Sequence, residues 1–432
     1  MKKFYIETYG CQMNEYDSEI VTSILKSDNY TAADTPEEAQ LIFLNTCSVR
    51  ENAHSKVFQR INVLKGLKKK NKAVLGVLGC MAQSLRKDLL ENGIAVDLIA
   101  GPDSYRKLPS MIQKLEEEGG KDYALSLSDY ETYSDIFPEH TAGVNAWIAV
   151  MRGCNNFCSF CVVPYARGRE RSRAPKNIVQ EAQKLAEQGF KQITLLGQNV
   201  NSYQHKDADF AALLDMVCKI NGIERVRFTS PHPKDFPEQL LEVIAENPKA
   251  CKHIHLPLQA GNNRILDLMN RTYTGEDYLA LVNKIRSLIP NISLTTDIIV
   301  GFPSETEAEF QDTLKLMQQV KFDAAFMFKY SERPHTIASR KYPDDVSEED
   351  KTSRITRLVE QQRRISFEQM QRFVGRGVEV LVEGRAKKPG QLMGRTDGNH
   401  IAVFSDNGAK TGEFVSVEIE EATANTLIGN AV

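Results

Sequence analysis

Short apolar, β-branched runs alternate with amphipathic stretches along most of this chain, and this alternation limits the fold more than any other feature. Residues 1–118 contain four such runs, with helical patterns at residues 18–27 and 54–67 between them. A β-α-β-α order of this kind predicts a parallel, doubly wound α/β sheet. The predicted strands span residues 4–8, 41–45, 73–78 and 96–100.

The alternation resumes after residue 145, where six further strand patterns are separated by helical ones. Six βα units predict a partial TIM-like (β/α)6 barrel, since a complete barrel has eight. The polar stretch 119–145, rich in Ser, Asp and Tyr, is interpreted as a linker ahead of this barrel. The six strand patterns lie at residues 146–151, 192–196, 225–229, 253–258, 293–300 and 324–329.

The pattern changes beyond residue 370, after a long polar helix predicted over residues 347–373. Short β-rich runs, split by Gly, Asp and Asn, predict a small antiparallel β-barrel that resembles an OB fold. The chain of 432 residues is long enough for about three domains. We predict them at residues 1–118, 146–370 and 371–432, with the linker 119–145 between the first two.

Charge and hydropathy exclude several classes of protein. With 54 Lys and Arg against 57 Asp and Glu, the chain is not a globally basic nucleic-acid binder, although a local basic patch is compatible with this balance. Its longest near-apolar run, residues 73–82, is shorter than the ~20 residues of a membrane-spanning helix. Glu7 interrupts the apolar run that a signal peptide would need. We expect a cytoplasmic protein whose eight cysteines bind metal or act in catalysis rather than form disulfides.

Cys154, Cys158 and Cys161 form a C-x3-C-x2-C motif directly after the first predicted barrel strand. Loops at that end of a barrel strand carry active-site chemistry. A structural zinc site has four protein ligands, whereas three thiolates on one tight loop suit an iron–sulfur cluster with one open iron. The alternative is a zinc knuckle that a distant residue completes.

Cys11, Cys47 and Cys80 lie just beyond the ends of three predicted strands in the first domain. The carboxyl ends of neighbouring parallel strands share one edge of the sheet, where ligands bind, so we expect these thiols to converge. The alternative is that they are three buried core cysteines. Cys218 and Cys251 are predicted to belong to the core.

The C-x3-C-x2-C motif, with Phe160 before its last cysteine, is similar to the signature of radical S-adenosylmethionine enzymes. The two cysteine triads together resemble the methylthiotransferases among these enzymes, and the last domain is similar to TRAM, a small RNA-binding barrel. The resemblance covers essentially the whole chain and is closest to the tRNA (dimethylallyl)adenosine methylthiotransferases. It is carried by residues 8–14, 163–173, 196–201 and 297–303.

The resemblance implies an enzyme with a [4Fe–4S] cluster on each triad, so that all six cysteines are metal ligands and catalytic residues. S-adenosylmethionine would act twice, as methyl donor and as the source of a 5′-deoxyadenosyl radical, because the C2–H bond of adenine resists acid–base and nucleophilic activation. Sulfur would reach C2 of an isopentenylated adenosine from, or at, the N-terminal cluster. Implied partners are a tRNA anticodon stem-loop and an external electron donor of the flavodoxin or ferredoxin kind; we expect a monomer.

Further site residues are predicted from their positions. Residues at the ends of barrel strands are expected to contact S-adenosylmethionine, and basic residues beside the cluster loop or in the last domain are expected to contact RNA phosphates. The predicted cofactor contacts are Phe160, Gln198, Asn199, Ser230, Gln259 and Gly301. The predicted RNA contacts are Arg167, Arg169, Arg171, Arg173, Arg376, Arg385, Lys387 and Lys388.

Three other functions are compatible with parts of the pattern. Sister enzymes of the same architecture modify a threonylcarbamoyl adenosine in tRNA or an aspartate of a small-subunit ribosomal protein. A non-catalytic RNA-binding protein with structural iron–sulfur clusters would ligate every iron with protein, and two sets of three cysteines argue against it.

Overall fold

The structure is a computed structural model that describes residues 1–48, 51–85, 88–91, 94–140, 143–206 and 208–432. Its first unit is a six-stranded sheet in which all neighbouring strands run parallel. The strands are β1 (Lys3–Thr8), β2 (Thr31–Ala32), β3 (Leu41–Thr46), β4 (Val74–Gly79), β5 (Leu98–Ala100) and β6 (Asp122–Ala124), in the order β2-β1-β3-β4-β5-β6. The predicted doubly wound α/β sheet is therefore confirmed.

Helices cover both faces of this sheet. Ile20 and Ile112 pack on one face, and Ile61 and Met81 pack on the other. From β1 the next strand in sequence, β2, is added on one side, whereas β3 and all later strands are added on the other side. Ligands of open α/β sheets bind at such a switch point, which here lies between β1 and β3. The helices are α1 (Gln12–Ser27), α2 (Glu51–Asn71), α3 (Cys80–Leu85), α4 (Asp88–Glu91) and α5 (Leu108–Glu118).

Residues 119–145, predicted as a linker, are in part packed against the first sheet. Within them, β6 forms the edge strand of that sheet, and Tyr133 is fully buried. The Tyr133 hydroxyl donates to the Pro102 carbonyl at 2.9 Å, which satisfies its polar group. The polar composition of residues 119–145 therefore did not predict that part of this segment packs against the first sheet. Thr141 and Ala142, near the predicted end of the linker, lie outside the described residues.

The central domain contains six parallel strands that form an open barrel. Three of them, in the order β13-β10-β7, continue into β14-β15-β16 through a parallel bridge between Val226 and Ala250. This arrangement confirms the predicted partial (β/α)6 barrel. In chain order the strands of this domain are β7 (Asn145–Ala149), β8 (Met151–Arg152), β9 (Arg171–Ser172), β10 (Gln192–Leu196), β11 (Gln204–His205), β12 (Ala208–Asp209), β13 (Arg225–Phe228), β14 (His253–His255), β15 (Ser293–Val300) and β16 (Ala324–Lys329).

Helices surround this barrel, and several begin at strong caps. Thr274 and Thr306 form capping boxes with Asp277 and Glu309 respectively, which satisfy the first backbone N–H groups of their helices. None of the helices in the described ranges has the length and apolarity that crossing a membrane requires. The helices are α6 (Val163–Arg167), α7 (Pro175–Glu187), α8 (Phe210–Cys218), α9 (Glu238–Glu246), α10 (Asn263–Leu268), α11 (Gly275–Leu288), α12 (Glu307–Val320), α13 (Ile337–Lys341) and α14 (Glu348–Gln371).

The last domain is a closed barrel of five strands in the order β17-β18-β19-β21-β20. The predicted small barrel is confirmed, but one of its pairs, β19 with β21, is parallel rather than antiparallel. The sequence analysis missed β21, because Gly429 and Asn430 interrupt its apolar pattern. The strands are β17 (Gly377–Arg385), β18 (Gln391–Thr396), β19 (Ile401–Ser405), β20 (Phe414–Ala422) and β21 (Thr426–Ala431).

This C-terminal barrel docks against the amino ends of the central strands. Arg225 donates to the Arg395 carbonyl at 2.6 Å, and Arg227 donates to the carbonyls of Thr396 and Asp397 at 2.7 and 2.8 Å. Ligands of (β/α) barrels bind at the carboxyl ends of the strands. The C-terminal barrel therefore leaves the mouth of the central barrel free.

A buried ion cluster joins the first sheet to the central barrel. The Asp17 carboxylate on α1 accepts from Arg152 at 2.7 Å and from Arg167 at 2.9 Å. All three side chains are at most 4% exposed. The Tyr105 hydroxyl donates to the same carboxylate at 3.3 Å. Two cations from the barrel thus converge on one anion from the sheet.

Removing this anion is expected to destabilise the chain strongly. Asp17→Ala leaves two buried guanidiniums without their carboxylate, and breaking a buried pair costs about 3–5 kcal/mol. Asp135→Ala is the matched control, because its partner Arg106 lies at the surface and exposed pairs contribute at most about 1 kcal/mol. Chemical denaturation of both variants measures the difference. Equal losses for the two variants would contradict a structural role for Asp17.

Candidate iron–sulfur and S-adenosylmethionine site

A short ribbon closes the loop that carries the C-x3-C-x2-C motif. β8 pairs antiparallel with β9, so residues 153–170 leave and re-enter the barrel at one place. Gly153 has a φ of +78°, and a Cβ there would clash with the Arg169 carbonyl oxygen. Only glycine fits this close approach of two backbone segments. The Cys154 N–H donates to the Gly168 carbonyl at 3.1 Å, which ties the first cysteine to the end of the loop.

The middle of the loop is anchored to residues that follow α10. Ser159 donates through its backbone N–H to the Met269 carbonyl at 2.9 Å. Asn270 donates to the Phe157 carbonyl at 3.0 Å, and Arg271 Nη1 lies 3.5 Å from Cys158 Sγ. The Cys161 N–H donates to the Cys158 carbonyl at 2.9 Å. The loop is therefore held from both sides and keeps its three cysteines together.

Burial sets the acidity of this triad. Loss of solvation raises the pKa of Cys154 to about 12, and burial likewise raises the pKa of Cys161 above its usual range. Iron–sulfur ligands bind as thiolates, so proton release accompanies metal binding at such a site. The positive charge of Arg271, which is buried in the same loop region, opposes this rise in the pKa of Cys154 and Cys161.

The second triad lies at the switch point of the first sheet. Cys11 precedes α1 after β1, Cys47 follows β3, and Cys80 begins α3 directly after β4. β1, β3 and β4 are neighbours, so the predicted convergence of the three thiols occurs. Gly10 has a φ of +130°, and a Cβ there would lie 2.5 Å from Cys47 Cβ. Glycine is therefore required for the close approach of the first two cysteines.

Arg167 reaches this second triad from the barrel. Its Nε donates to Cys80 Sγ at 3.1 Å. A hydrogen bond from Cys47 and the positive charge of Arg167 together outweigh burial and lower the pKa of Cys11 to about 6. Burial raises the pKa of Cys80, and Arg167 opposes that shift.

Three thiols at each site are a donor set that suits an iron–sulfur cluster. Within the described residues, no three His, Cys, Asp or Glu side chains are arranged to hold one metal ion. In a cubane cluster each thiolate binds a different iron, so three converging thiols need not meet around one point. Three ligands leave the fourth iron available to another molecule.

Amide oxygens without partners lie at the mouth of the barrel. Oε1 of Gln198, Oδ1 of Asn199 and Oε1 of Gln259 are buried and accept no hydrogen bond from any described residue. Gln198 and Asn199 follow β10, and Gln259 bridges to Ile298 of β15. Buried acceptors are normally paired, so these oxygens suit a ligand that brings donors. The amino group and ribose hydroxyls of S-adenosylmethionine are such donors.

The other predicted cofactor contacts lie at the same end of the barrel. Phe160 is partly buried and packs against the barrel core. Ser230 follows β13 with a φ of +57°, and its carbonyl accepts from the Val200 N–H at 3.3 Å. Gly301 follows β15, and its N–H already donates to Glu305 Oε2 at 2.6 Å. The Gly301 amide is thus occupied within the chain.

The structure corrects the phosphate role predicted for three arginines. Arg167, Arg171 and Arg173 are at most 6% exposed. Arg171 pairs with Asp103 at 2.6 Å, and Arg173 pairs with Glu181 at 2.6 Å. These guanidiniums hold elements together and offer no surface to RNA. The remaining predicted contacts, Arg169, Arg376, Arg385, Lys387 and Lys388, are exposed.

Sequence reasoning missed several residues that shape the site. His232 lies beyond β13, where burial lowers the pKa of its ring to about 2, and its Nε2 is buried without a partner in the described part of the chain. Its position between two prolines at a strand end was the available signal. Asp17 lies on α1, and a lone acidic residue on a helix gives no sign of burial in the sequence.

Comparison with known proteins decides the family. Residues 148–317 match the Radical SAM superfamily, residues 3–101 match the family described as Uncharacterized protein family UPF0004, and residues 371–432 match the TRAM domain. The tRNA-2-methylthio-N(6)-dimethylallyladenosine synthases of Bacteroides thetaiotaomicron and Chloroherpeton thalassium are each 48% identical to this chain. Each alignment covers 100% of this chain and 96% of the relative. The chain belongs to this synthase family.

Solved structures share the fold at low sequence identity. The radical S-adenosylmethionine methyltransferase TsrM from Kitasatospora setae matches with a TM-score of 0.60 at 14% identity, over 78% of this chain and 75% of that one. The cobalamin-dependent radical enzyme OxsB matches with a TM-score of 0.55 at 12% identity, over 84% of this chain and 61% of that one. These likenesses support the α/β radical-enzyme fold of the synthase family.

Membership of the synthase family makes the chain an enzyme, a methylthiotransferase. Its radical S-adenosylmethionine domain implies one [4Fe–4S] cluster and S-adenosylmethionine as cofactors. The cysteine loop after the first barrel strand and the unpartnered oxygens at the mouth suit both groups.

Gly153→Ala is expected to abolish the cluster of the C-x3-C-x2-C loop, because the added Cβ collides with the Arg169 backbone. Iron counting after anaerobic reconstitution should show a loss of about four irons per chain, together with loss of S-adenosylmethionine binding. Gly189→Ala is the control, since Gly189 also has a positive φ, +92°, but no atom lies within 4 Å of its Cβ position. Full iron in Gly153→Ala would contradict the assignment.

Proposed function

We propose that this enzyme transfers a methylthio group to C2 of an isopentenylated adenosine beside the anticodon of tRNA. Support comes from the synthase relatives, whose names describe this product and which align over the full chain. The observation that carries the proposal is the pair of three-cysteine sites on either side of one domain interface. One site suits radical generation, and the other suits sulfur delivery.

We assign a [4Fe–4S] cluster to each triad, with Cys154, Cys158 and Cys161 as ligands of one and Cys11, Cys47 and Cys80 as ligands of the other. When bound, these clusters and S-adenosylmethionine supply radical chemistry at an unactivated carbon, a methyl group and sulfur. The chain itself holds the thiolates and keeps Arg271 and Arg167 beside them. Four of the six cysteines, Cys47, Cys80, Cys154 and Cys158, are buried. An external one-electron donor of the flavodoxin or ferredoxin kind completes the proposal.

The amide oxygens at the mouth would orient S-adenosylmethionine. Gln198, Asn199 and Gln259 present acceptors that have no partner among the described residues. Phe160, which precedes the last cysteine of the loop, packs against the barrel core. Accepting hydrogen bonds from the amino and hydroxyl groups would hold the molecule in one pose next to the open iron. Ser230 and Gly301 shape the same rim through their backbone conformations.

The inner face of the barrel favours an apolar modified base. Phe326 and Phe328 on β16 are 54% and 40% exposed, and the Phe326 ring lies 5.8 Å from that of His255. Asp297 on the neighbouring strand lies 3.2 Å from His255. Exposed aromatic surface suits an isopentenyl chain, whereas the nearby carboxylate disfavours a substrate that carries a carboxylate of its own.

A stem-loop suits the arrangement of the domains. The mouth lies at the carboxyl ends of the barrel strands, and the C-terminal barrel docks at their amino ends. An RNA that contacts both must extend along the outside of the central barrel. Arg376, Arg385, Lys387 and Lys388 are exposed on the C-terminal barrel and would hold phosphates of the stem.

Substituting each cysteine triad by alanine tests the division of labour. We expect about eight irons in the reconstituted wild type and about four in each triple variant. Only the wild type should form methylthio-adenosine in isopentenylated tRNA, measured by mass spectrometry of digested tRNA. The Cys11/Cys47/Cys80→Ala variant should still cleave S-adenosylmethionine, because its first cluster is intact.

Three results of that experiment would overturn the proposal. Full iron and product in the N-terminal variant would leave a one-cluster radical enzyme without sulfur insertion. A wild type that modifies threonylcarbamoyl adenosine or a ribosomal protein instead of isopentenylated tRNA would change the substrate. Product formation by the Cys154/Cys158/Cys161→Ala variant would exclude the radical route.

Basic residues of the C-terminal barrel are expected to set the salt dependence of tRNA binding. Replacing Arg385, Lys387 and Lys388 by Gln removes three phosphate contacts, so the slope of log affinity against log salt should fall by about two to three. Lys315→Gln is the control, because this exposed lysine lies on α12 of the central domain and pairs with Asp312. An unchanged slope in the triple variant would place the RNA elsewhere.

A further inference from the structure

Arg167 links the two cysteine sites through contacts that neither site requires for its own ligation. Cys161 precedes it by six residues, and α6, which ends at Arg167, leads directly away from the cysteine loop. Its guanidinium crosses the domain interface, where Nε lies 3.1 Å from Cys80 Sγ and Nη2 lies 2.9 Å from Asp17 Oδ2. The side chain is 4% exposed, so its charge acts in a medium of low dielectric constant.

We propose that Arg167 is a positioning residue that holds the Cys80 sulfur and raises the reduction potential of the cluster on Cys11, Cys47 and Cys80. This inference depends on the proposed function, in which that triad holds a cluster.

The physical argument concerns the charge of the cluster. Reduction adds one negative charge, and a nearby buried cation with an N–H directed at a ligand sulfur stabilises the more negative state. The negative charge of Asp17 offsets part of the positive charge of Arg167. Arg152 donates to the same carboxylate, so its positive charge reduces that offset.

The position of Arg167 also depends on the radical-generating loop. The next residue, Gly168, has a φ of +73°, and its carbonyl accepts from the Cys154 N–H at 3.1 Å. The Arg167 carbonyl accepts from Arg171 Nη2 at 2.8 Å. The backbone that carries the guanidinium is thus fixed by one hydrogen bond from the first cysteine of the other site and by one from Arg171. Residues 167 and 168 therefore contact both cysteine sites, Arg167 through its side chain at Cys80 and Gly168 through its carbonyl at Cys154.

A redox titration of the second cluster alone tests this inference. The full chain with Cys154, Cys158 and Cys161 replaced by Ala contains only the N-terminal cluster, which is followed by electron paramagnetic resonance at controlled potentials. Arg167→Met removes the charge and the N–H while keeping an unbranched apolar side chain. We expect the ratio of reduced to oxidised cluster at a fixed potential to fall at least tenfold, which is 59 mV for one electron.

Three further variants separate this effect from general damage to the interface. Arg152→Met also removes a buried partner of Asp17 but touches no cysteine, and Arg169→Met removes an exposed charge from the same segment. Arg169→Met should keep the wild-type potential. Arg152→Met, which leaves the Asp17 charge less compensated but contacts no cysteine, should lower the potential by clearly less than Arg167→Met does. Arg167→Lys keeps the charge but loses the planar group that donates to Cys80 and Asp17 together, so its potential should lie between wild type and Arg167→Met.

Each outcome decides the inference. An unchanged potential in Arg167→Met, or an equal fall in Arg152→Met, overturns it. If Arg167→Met loses iron while Arg152→Met retains it, the holding role at Cys80 is supported; if both lose iron, that role is overturned. Failure of the proposed function would be recognised separately, because the N-terminal triad of the parent variant would then bind no iron at all.

Discussion

The buried carboxylate of Asp17 is the contact on which the arrangement of this enzyme depends. It accepts from two guanidiniums that belong to the barrel, and it belongs to the helix that begins beside Cys11. Because unpaired charges cannot remain in such an interior, the sheet and the barrel must meet in one orientation. That orientation brings two cysteine sites to the same interface, although each is built by its own domain.

Each site follows from a local backbone requirement. Cys11, Cys47 and Cys80 lie at one edge of the sheet because they follow neighbouring parallel strands. Gly10 allows the backbone before Cys11 to approach Cys47 closely. In the barrel, Gly153 and the β8–β9 ribbon close a loop that holds the other three cysteines. Each site gathers three cysteines in the described part of the chain, and in the proposed function this leaves one iron of each cluster open to a second molecule. The C-terminal barrel occupies the opposite end and does not compete for either site.

The sequence predicted the features that periodicity and spacing encode. Alternating strands and helices predicted the doubly wound sheet and the six-stranded barrel, and strand ends predicted that Cys11, Cys47 and Cys80 would converge. It could not distinguish buried from solvated charges, since Arg167, Arg171 and Arg173 form the same pattern as a basic surface but are buried by partners distant in sequence. The burial of Tyr133 and the parallel pairing of β21 with β19 also depend on tertiary contacts, which local composition does not reveal.

The most direct test of this account is anomalous diffraction at the iron edge from crystals of the anaerobically reconstituted enzyme. The account predicts two iron sites, one among Cys154, Cys158 and Cys161 and the other among Cys11, Cys47 and Cys80, with helix α6 between them. A single iron site, or a second site away from the carboxyl edge of the first sheet, would contradict it.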